Sequence, residues 1–276
     1  MAKYRILVVE DDMDVAELLL MFFEAQGYEI YHADTGQQGI MLARARLPNL
    51  IILDIMLPDM DGFSICGELR SKNLTKYIPT IFLTQRNAHS DKVSGLQLGA
   101  DYYITKPFDV EELRVRVQKS ISNATRDHLH EEITGLPTGP LIEAEYQSFL
   151  KSHAKWHRLD IHVAGYNAFR DAYGFLTAND ALNLAAKTIS SQVVEHGTND
   201  DFVGVVENGY FVVFTFGTDF ERIVRSAVSD FAERVKALYK FTDADQGYVI
   251  LDEGLPSENK IPLMFLDISA QDSVAS

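Results

Sequence analysis

Short apolar runs alternate with segments of helical period through the first part of the chain. Residues 4–9, 29–32, 50–53, 80–83 and 102–104 have strand length. Each is followed by a stretch whose apolar positions recur every three or four residues. The runs are continuous rather than every-other-residue, as in parallel strands that helices cover on both faces. Five such units predict an α/β domain, a doubly wound five-strand parallel sheet. The last helix opens at Val110 and meets no breaker before Gly135, so it is expected to run on as a connector through residues 120–130.

The pattern then changes. Residues 141–153 read as a helix, 158–163 as a strand, and 167–173 and 179–195 as helices. Two apolar runs, 202–207 and 210–214, flank Asn208-Gly209, a dipeptide that suits a two-residue type I′ hairpin. A helix over 220–238 and strands over 247–251 and 262–268 complete the order. This predicts an α+β domain with a largely antiparallel sheet. The boundaries are set at 1–122 for the first domain, 123–130 for a helical linker and 131–276 for the second domain.

A length of 276 residues, 46% hydrophobic and 24% charged, fits two globular domains and excludes disorder as the main state. The apolar stretches are too short and too interrupted to span a bilayer, and the N-terminus shows no signal-peptide pattern. A single cysteine, Cys66, excludes a disulfide framework and reads as a small core residue. A cytoplasmic location and no membrane partner are expected. Residues 1–122 hold 13 Lys/Arg against 17 Asp/Glu, a net of −4, and residues 123–276 hold 12 against 23, a net of −11. That balance disfavours nucleic acid as a partner.

The chemistry gathers at the carboxyl ends of the first five runs, where open parallel sheets bind their ligands. Glu10, Asp11 and Asp12 follow the first run, Asp54 the third and Lys106 the fifth, while Thr84 closes the fourth. Clustered carboxylates repel and need a cation, and an all-oxygen donor set suits Mg²⁺. One carboxylate can then attack a phosphoryl group, with metal and lysine neutralising its charge and a threonine bonding an oxygen.

These residues, with 30 positions from Asp54 to Thr84 and 52 from Asp54 to Lys106, resemble the receiver domain of two-component response regulators, a flavodoxin-like fold. The resemblance covers residues 3–122. It implies Asp54 as phosphoacceptor, and Glu10, Asp11, Asp54 and the Met56 carbonyl as Mg²⁺ ligands. It implies Thr84 and Lys106 as switch and phosphate contacts, Tyr103 as the switch aromatic, and a cis bond between Lys106 and Pro107. Gln85 departs from the family, where a small residue usually follows the threonine. Its bulk should slow access to the phosphoryl group. Asp12, Asp14, Asp59 and Asp61 are read as solvated loop ends, and Gly62 and Gly99 as helix-start and turn glycines.

In the second half, Glu131-Glu-Ile-Thr-Gly-Leu-Pro137, Asp171-Ala-Tyr-Gly174, Asn179-Asp180-Ala-Leu182 and the hairpin Glu207-Asn-Gly-Tyr-Phe211 resemble GGDEF domains, the diguanylate cyclase family, in order and spacing. The departures fall on that family's chemistry. Its strand carboxylate aligns with His162 and its second acidic strand position with Ala164. Its acidic hairpin position aligns with Tyr210, and its first hairpin glycine with Glu207. The guanine-contact positions align with Arg170 and Asn179. Of the Arg-x-x-Asp product site only Asp201 remains, in Thr198-Asn-Asp-Asp201, where it reads as a turn residue. The chain ends at Ser276, where active relatives continue into a helix with basic phosphate contacts. His128, His130, His153 and His157 are read as surface histidines rather than metal ligands, and Trp156 as core or interface.

The resemblances imply a response regulator that accepts a phosphoryl group on Asp54 from a sensor histidine kinase or phosphotransfer protein. Its second domain is expected to be a nucleotide-cyclase-like fold without cyclase activity, serving a downstream protein partner or a homodimer. Two alternatives stay open: a sensor of GTP or cyclic di-GMP, and an active cyclase.

Overall fold

The computed structural model describes residues 4–126, 129–152, 154–251 and 259–272. The chain divides at His130/Glu131 into two compact units.

The first unit follows the apolar runs closely. Its elements are β1 (Arg5–Val9), α1 (Met13–Ala25), β2 (Glu29–Ala33), α2 (Gly36–Arg46), β3 (Leu50–Leu53), α3 (Gly62–Arg70), β4 (Thr80–Thr84), α4 (His89–Gln97), β5 (Tyr102–Thr105) and α5 (Val110–Arg126). The strands form one parallel sheet in the order β2-β1-β3-β4-β5. Every residue of β1, β3 and β4 is buried. Alternate side chains go to opposite faces. Leu7, Val9, Ile51, Leu53 and Phe82 pack with Ile40, Ile65 and Leu69 of α2 and α3. Ile6, Val8, Ile52 and Leu83 pack with Leu19, Phe23, Leu113 and Val117 of α1 and α5. Two buried faces are the reason the runs carry no polar alternation.

Three acidic loop residues do more than the sequence reading gave them. Asp12 caps α1, accepting from Asp14 N at 3.0 Å and Val15 N at 3.3 Å. Asp61 caps α3 through Phe63 N at 2.8 Å. Asp59 reaches from the loop after β3 to the start of α2, accepting from Gly36 N at 2.8 Å and Gln37 N at 2.9 Å. Each is solvent-facing, yet each satisfies helix-end amides that have no partner within their helix. Gly62 is required by close approach, because a Cβ there would lie 2.3 Å from the Asp54 carbonyl oxygen.

The second unit comprises α6 (Gly139–Lys151), β6 (His157–Ala164), α7 (Tyr166–Tyr173), α8 (Phe175–His196), β7 (Phe202–Glu207), β8 (Tyr210–Thr215), α9 (Phe220–Arg234), a 3₁₀ turn over Val235–Leu238, α10 (Phe241–Gln246), β9 (Tyr248–Leu251), β10 (Asn259–Pro262) and β11 (Phe265–Asp272). Its main sheet is antiparallel in the order β11-β6-β8-β7. Here β6 does alternate: Leu159, Ile161 and Val163 are buried, while Arg158, Asp160, His162 and Ala164 are half-buried on the other face. The face that carries Phe214 is covered by α6. Phe149 stacks on Phe216 at 4.5 Å, and Trp156 meets Phe149 at 5.5 Å and Phe214 at 5.8 Å.

Several local expectations are corrected. Helix α5 ends at Arg126, and Leu129 and His130 are not helical, so the connector helix does not reach His130. Asp127, His128 and His153 lie outside the described residues. The single strand expected over 262–268 is two strands. At the break, Met264 is buried and its N–H donates to the Tyr239 hydroxyl at 2.8 Å, so β10 pairs with β9 while β11 joins the main sheet. The short helix α10 was not anticipated. The hairpin is not type I′, which needs a positive φ at both central residues. Only Gly209 has one, at 81°, and the ladder carries a bulge between Val205 and Glu207. The bulge supplies local twist that a type I′ pair would otherwise give.

Candidate functional site

The parallel sheet delivers the predicted groups to one end. Glu10 leaves β1 and Asp54 leaves β3, and both are buried, while Asp11 is exposed. Carboxylate oxygens of all three approach within 4.8 Å of one another. Lys106 arrives from the end of β5. Its Nζ lies 2.7 Å from both Glu10 oxygens and 2.7 Å from Asp54 Oδ2. The other Asp54 oxygen, Oδ1, accepts from Met56 N at 3.0 Å. The Lys106–Pro107 bond is cis, as expected. Lys106 N donates to Thr84 O at 2.8 Å, tying the lysine to the β4 end.

Three carboxylates and one ammonium leave the pocket two negative charges in excess. Burial pushes the Glu10 carboxyl up to about 7, against the opposing pull of Lys106. Burial also works to lower the Lys106 pKa, but the bonds to Asp54 and Glu10 outweigh it and raise it. An excess of negative charge on converging hard oxygen donors fits a divalent cation of the Mg²⁺ type. The residues fit the group; the Met56 carbonyl is the fourth protein donor that the sequence resemblance implies.

Thr84 is buried at the end of β4, and its Oγ1 accepts from Arg86 N at 3.4 Å. Tyr103 packs beside Phe82 at 5.9 Å between ring centroids and donates its hydroxyl to Arg86 O at 3.0 Å. Burial raises its pKa to about 12. Gln85 is exposed beside Thr84.

Two contributors were not singled out from the sequence. His32 Nε2 lies 2.9 Å from Glu10 O, holding the loop after β1. Arg86 carries the carbonyl that receives Tyr103 and pairs with Asp61 at 3.6 Å. The place of His32 at the end of the strand beside β1 was a usable signal. Arg86 left none, since its role lies in a carbonyl and a loop crossing.

The response regulator receiver domain family matches residues 6–118. This part of the chain is a response regulator receiver domain. The receiver region is similar to the DNA-binding dual master transcriptional regulator RpaA of Synechocystis, 41% identical over 140 residues, covering 50% of this chain and 57% of that protein. It is also similar to the alkaline phosphatase synthesis transcriptional regulatory protein PhoP of Bacillus subtilis, 41% identical over 114 residues, covering 41% of this chain and 47% of that protein. The chain thus spans about half the length of the curated relatives it matches. Among solved structures, the receiver domain of a Pseudomonas aeruginosa sensor histidine kinase, with a magnesium ion coordinated in its active-site cleft, is 30% identical, covering 44% of this chain and 99% of that one, with a TM-score of 0.41.

In the second unit, two of the positions that the sequence resemblance singles out meet as rings. His162 and Tyr210 are register partners on β6 and β8, and their rings stack at 4.3 Å and 12°. Glu207 sits opposite Tyr210 and is exposed. Arg170 pairs with its neighbour Asp171 at 3.2 Å, and Asn179 is buried in α8. Asp201 is fully buried. It accepts from Thr198 N at 2.9 Å, Thr215 Oγ1 at 2.7 Å, Phe216 N at 3.0 Å and the Thr198 hydroxyl at 2.5 Å. Its four acceptor positions are taken by its own chain, so its role is structural, and it ties more than a turn. His157 is a buried residue whose Nδ1 meets Asp272 Oδ1 at 2.7 Å.

Proposed function

We propose that this chain is a phosphorelay response regulator whose second unit is a GGDEF-like domain without cyclase chemistry, working through protein contacts. The observation that carries the reading is Lys106 Nζ at 2.7 Å from Asp54 Oδ2, within a pocket of three convergent carboxylates. A sensor histidine kinase or phosphotransfer protein presents a phosphohistidine. An Asp54 carboxylate oxygen attacks phosphorus, the new P–O bond forms as the P–N bond breaks, and the imidazole nitrogen keeps the bonding pair and takes up a proton.

Mg²⁺ held by Glu10, Asp11, Asp54 and the Met56 carbonyl would neutralise charge on the transferred group. Lys106 is already bonded to Asp54 and can follow the phosphoryl oxygens as they arrive. The Thr84 hydroxyl turns from Arg86 N towards that oxygen, and the loop carrying Arg86 O moves with it. Because Tyr103 is bonded to that carbonyl, its ring is the group through which the change reaches the β4–β5 surface.

For the second unit, the stacked His162–Tyr210 pair stands where the resemblance places metal-binding carboxylates. Neither ring of that pair offers a carboxylate to a divalent cation, so no cyclase activity is assigned. The two curated relatives are transcriptional regulators by name. The net charge of −11 over residues 123–276 favours a protein partner, or a second copy of this chain, over nucleic acid here.

Acetyl phosphate with Mg²⁺ provides the test. Acid-labile phosphate should appear on the wild-type chain and be absent from Asp54→Asn. Labelling that survives the substitution would remove Asp54 as the acceptor. Cyclic di-GMP formed from GTP by the purified chain would overturn the output assignment.

A further inference from the structure

A second cleft, of about 730 Å³, lies in the second unit between the last turn of α7, helix α10 and strand β9. It is distinct from the hairpin and from the acidic pocket of the receiver. Its lining is charged and pre-arranged. The Tyr173 hydroxyl donates to Asp243 and accepts from Lys240 N at 3.2 Å. Gln246 Nε2 donates to Asp243 Oδ1 at 3.2 Å and to Tyr248 O at 2.8 Å. The Tyr173 ring is fixed from behind by Phe169, stacked at 4.7 Å, and by Tyr239, edge-on at 5.4 Å. One wall of the cleft is therefore a rigid phenol–carboxylate–amide chain on an aromatic base.

The remaining charges are available. Lys240 Nζ lies 5.9 Å from the Tyr173 ring centroid, and among the described residues no carboxylate pairs with it. Asp171 gives one oxygen, Oδ1, to Arg170 at 3.2 Å, and its other oxygen accepts no bond among the described residues. The lining carries two carboxylates and one ammonium, and the Arg170 guanidinium lies against Asp171, so both signs meet at the cleft. Val249 adds an apolar patch. A complementary ligand carries an anionic end for Lys240, two cationic groups for the aspartates, and a methylene stem between them. The volume accommodates such a molecule, since small-ligand sites span roughly 300–1,000 Å³.

We propose that this cleft binds a cationic α-amino acid, with its carboxylate on Lys240 and its ammonium and side-chain cation on Asp171 and Asp243. The site uses none of the residues assigned to phosphorylation and none of those aligned with the cyclase chemistry, so it stands apart from the function proposed above.

Isothermal titration of L-arginine and L-lysine into the full chain tests it, with L-glutamate and L-alanine as comparators. Saturable heat is expected with the first two only. Lys240→Ala and Asp171→Ala, on separate elements, should each weaken binding about tenfold, as loss of one charge-assisted contact does. Asp54→Asn should leave it unchanged. The proposal is overturned by the absence of saturable heat with both cationic amino acids. It is equally overturned by equal binding of L-glutamate or L-alanine, or by wild-type affinity in both variants. The comparison of ligands on the wild-type chain holds even if a variant fails to fold.

Discussion

His162 and Tyr210 face one another across β6 and β8, rings parallel to within 12° and 4.3 Å apart. They are the two positions at which the sequence resemblance would place metal-binding carboxylates. The ladder that brings them together is the same one that would converge two carboxylates on a cation. The geometry of the hairpin rests on the ladder and on Gly209.

That pair should contribute to stability rather than to turnover. Cross-strand aromatic pairs are worth roughly 0.5–1 kcal/mol beyond their single contributions. A double-mutant cycle of His162→Ala and Tyr210→Ala, read by urea denaturation, should return a coupling of about that size. A coupling near zero would mean that the two rings share a surface without supporting each other.

The acidic pocket makes stability depend on pH and on Mg²⁺ together. Burial holds the Glu10 carboxyl near 7 in the folded chain, against 4.5 for an ordinary, solvent-exposed glutamate in the unfolded one. Between those values the folded state binds the additional proton, so stability falls as pH rises from 4.5 through about 7. Below 4.5 the contribution is fully present. A divalent cation replaces the proton as the partner of the ionised carboxylate. Thermal denaturation from pH 5 to 8 should show a falling midpoint without Mg²⁺ and a flatter profile with it. An identical slope in both series would remove Glu10 from the cation site.

Gln85 lies exposed and directly follows Thr84, the buried residue that closes β4. A shorter residue there opens the approach of water to phosphorylated Asp54. Gln85→Ala should shorten the lifetime of the acyl phosphate severalfold, measured as the decay of phosphorylated chain after removal of acetyl phosphate. An unchanged lifetime would show that the side chain does not shield the phosphoryl group.

Asp201 ties the loop after α8 to the end of β8 through four hydrogen bonds from three residues. Removing a buried, fully bonded carboxylate strands several donors, at a cost of about 3 kcal/mol. Asp201→Ala should therefore lower the stability of the second unit by that order in urea titration. Asp201→Glu should lower it too, because Gly197 already packs so tightly that a Cβ there would lie 2.2 Å from Asp201 Oδ2. A neutral effect of both would contradict the bonding network.

Much of this was written in local pattern. The continuous apolar runs of β1, β3 and β4 specify the centre of a parallel sheet because strands buried on both faces can dispense with polar alternation, while the edge strands β2 and β5 stay half-buried. The acidic triad, Thr84 and Lys106 are legible because strand ends in such a sheet share one edge. What sequence alone could not settle depends on how segments meet. Asp59 follows β3 but caps α2, since its carboxylate reaches the first two amides of that helix. The tail of the chain divides at Met264 because a buried backbone amide there finds the Tyr239 hydroxyl, twenty-five residues away. Asn208-Gly209 suggests a type I′ turn, yet a bulge one step back takes over part of the twist and leaves only Gly209 with a positive φ. Composition and spacing thus determined which chemical groups the protein owns and which strand ends present them. Tertiary structure decided which of those groups are bonded to their own chain and which remain free to act, because a hydrogen bond between distant segments leaves no trace in the periodicity of either one.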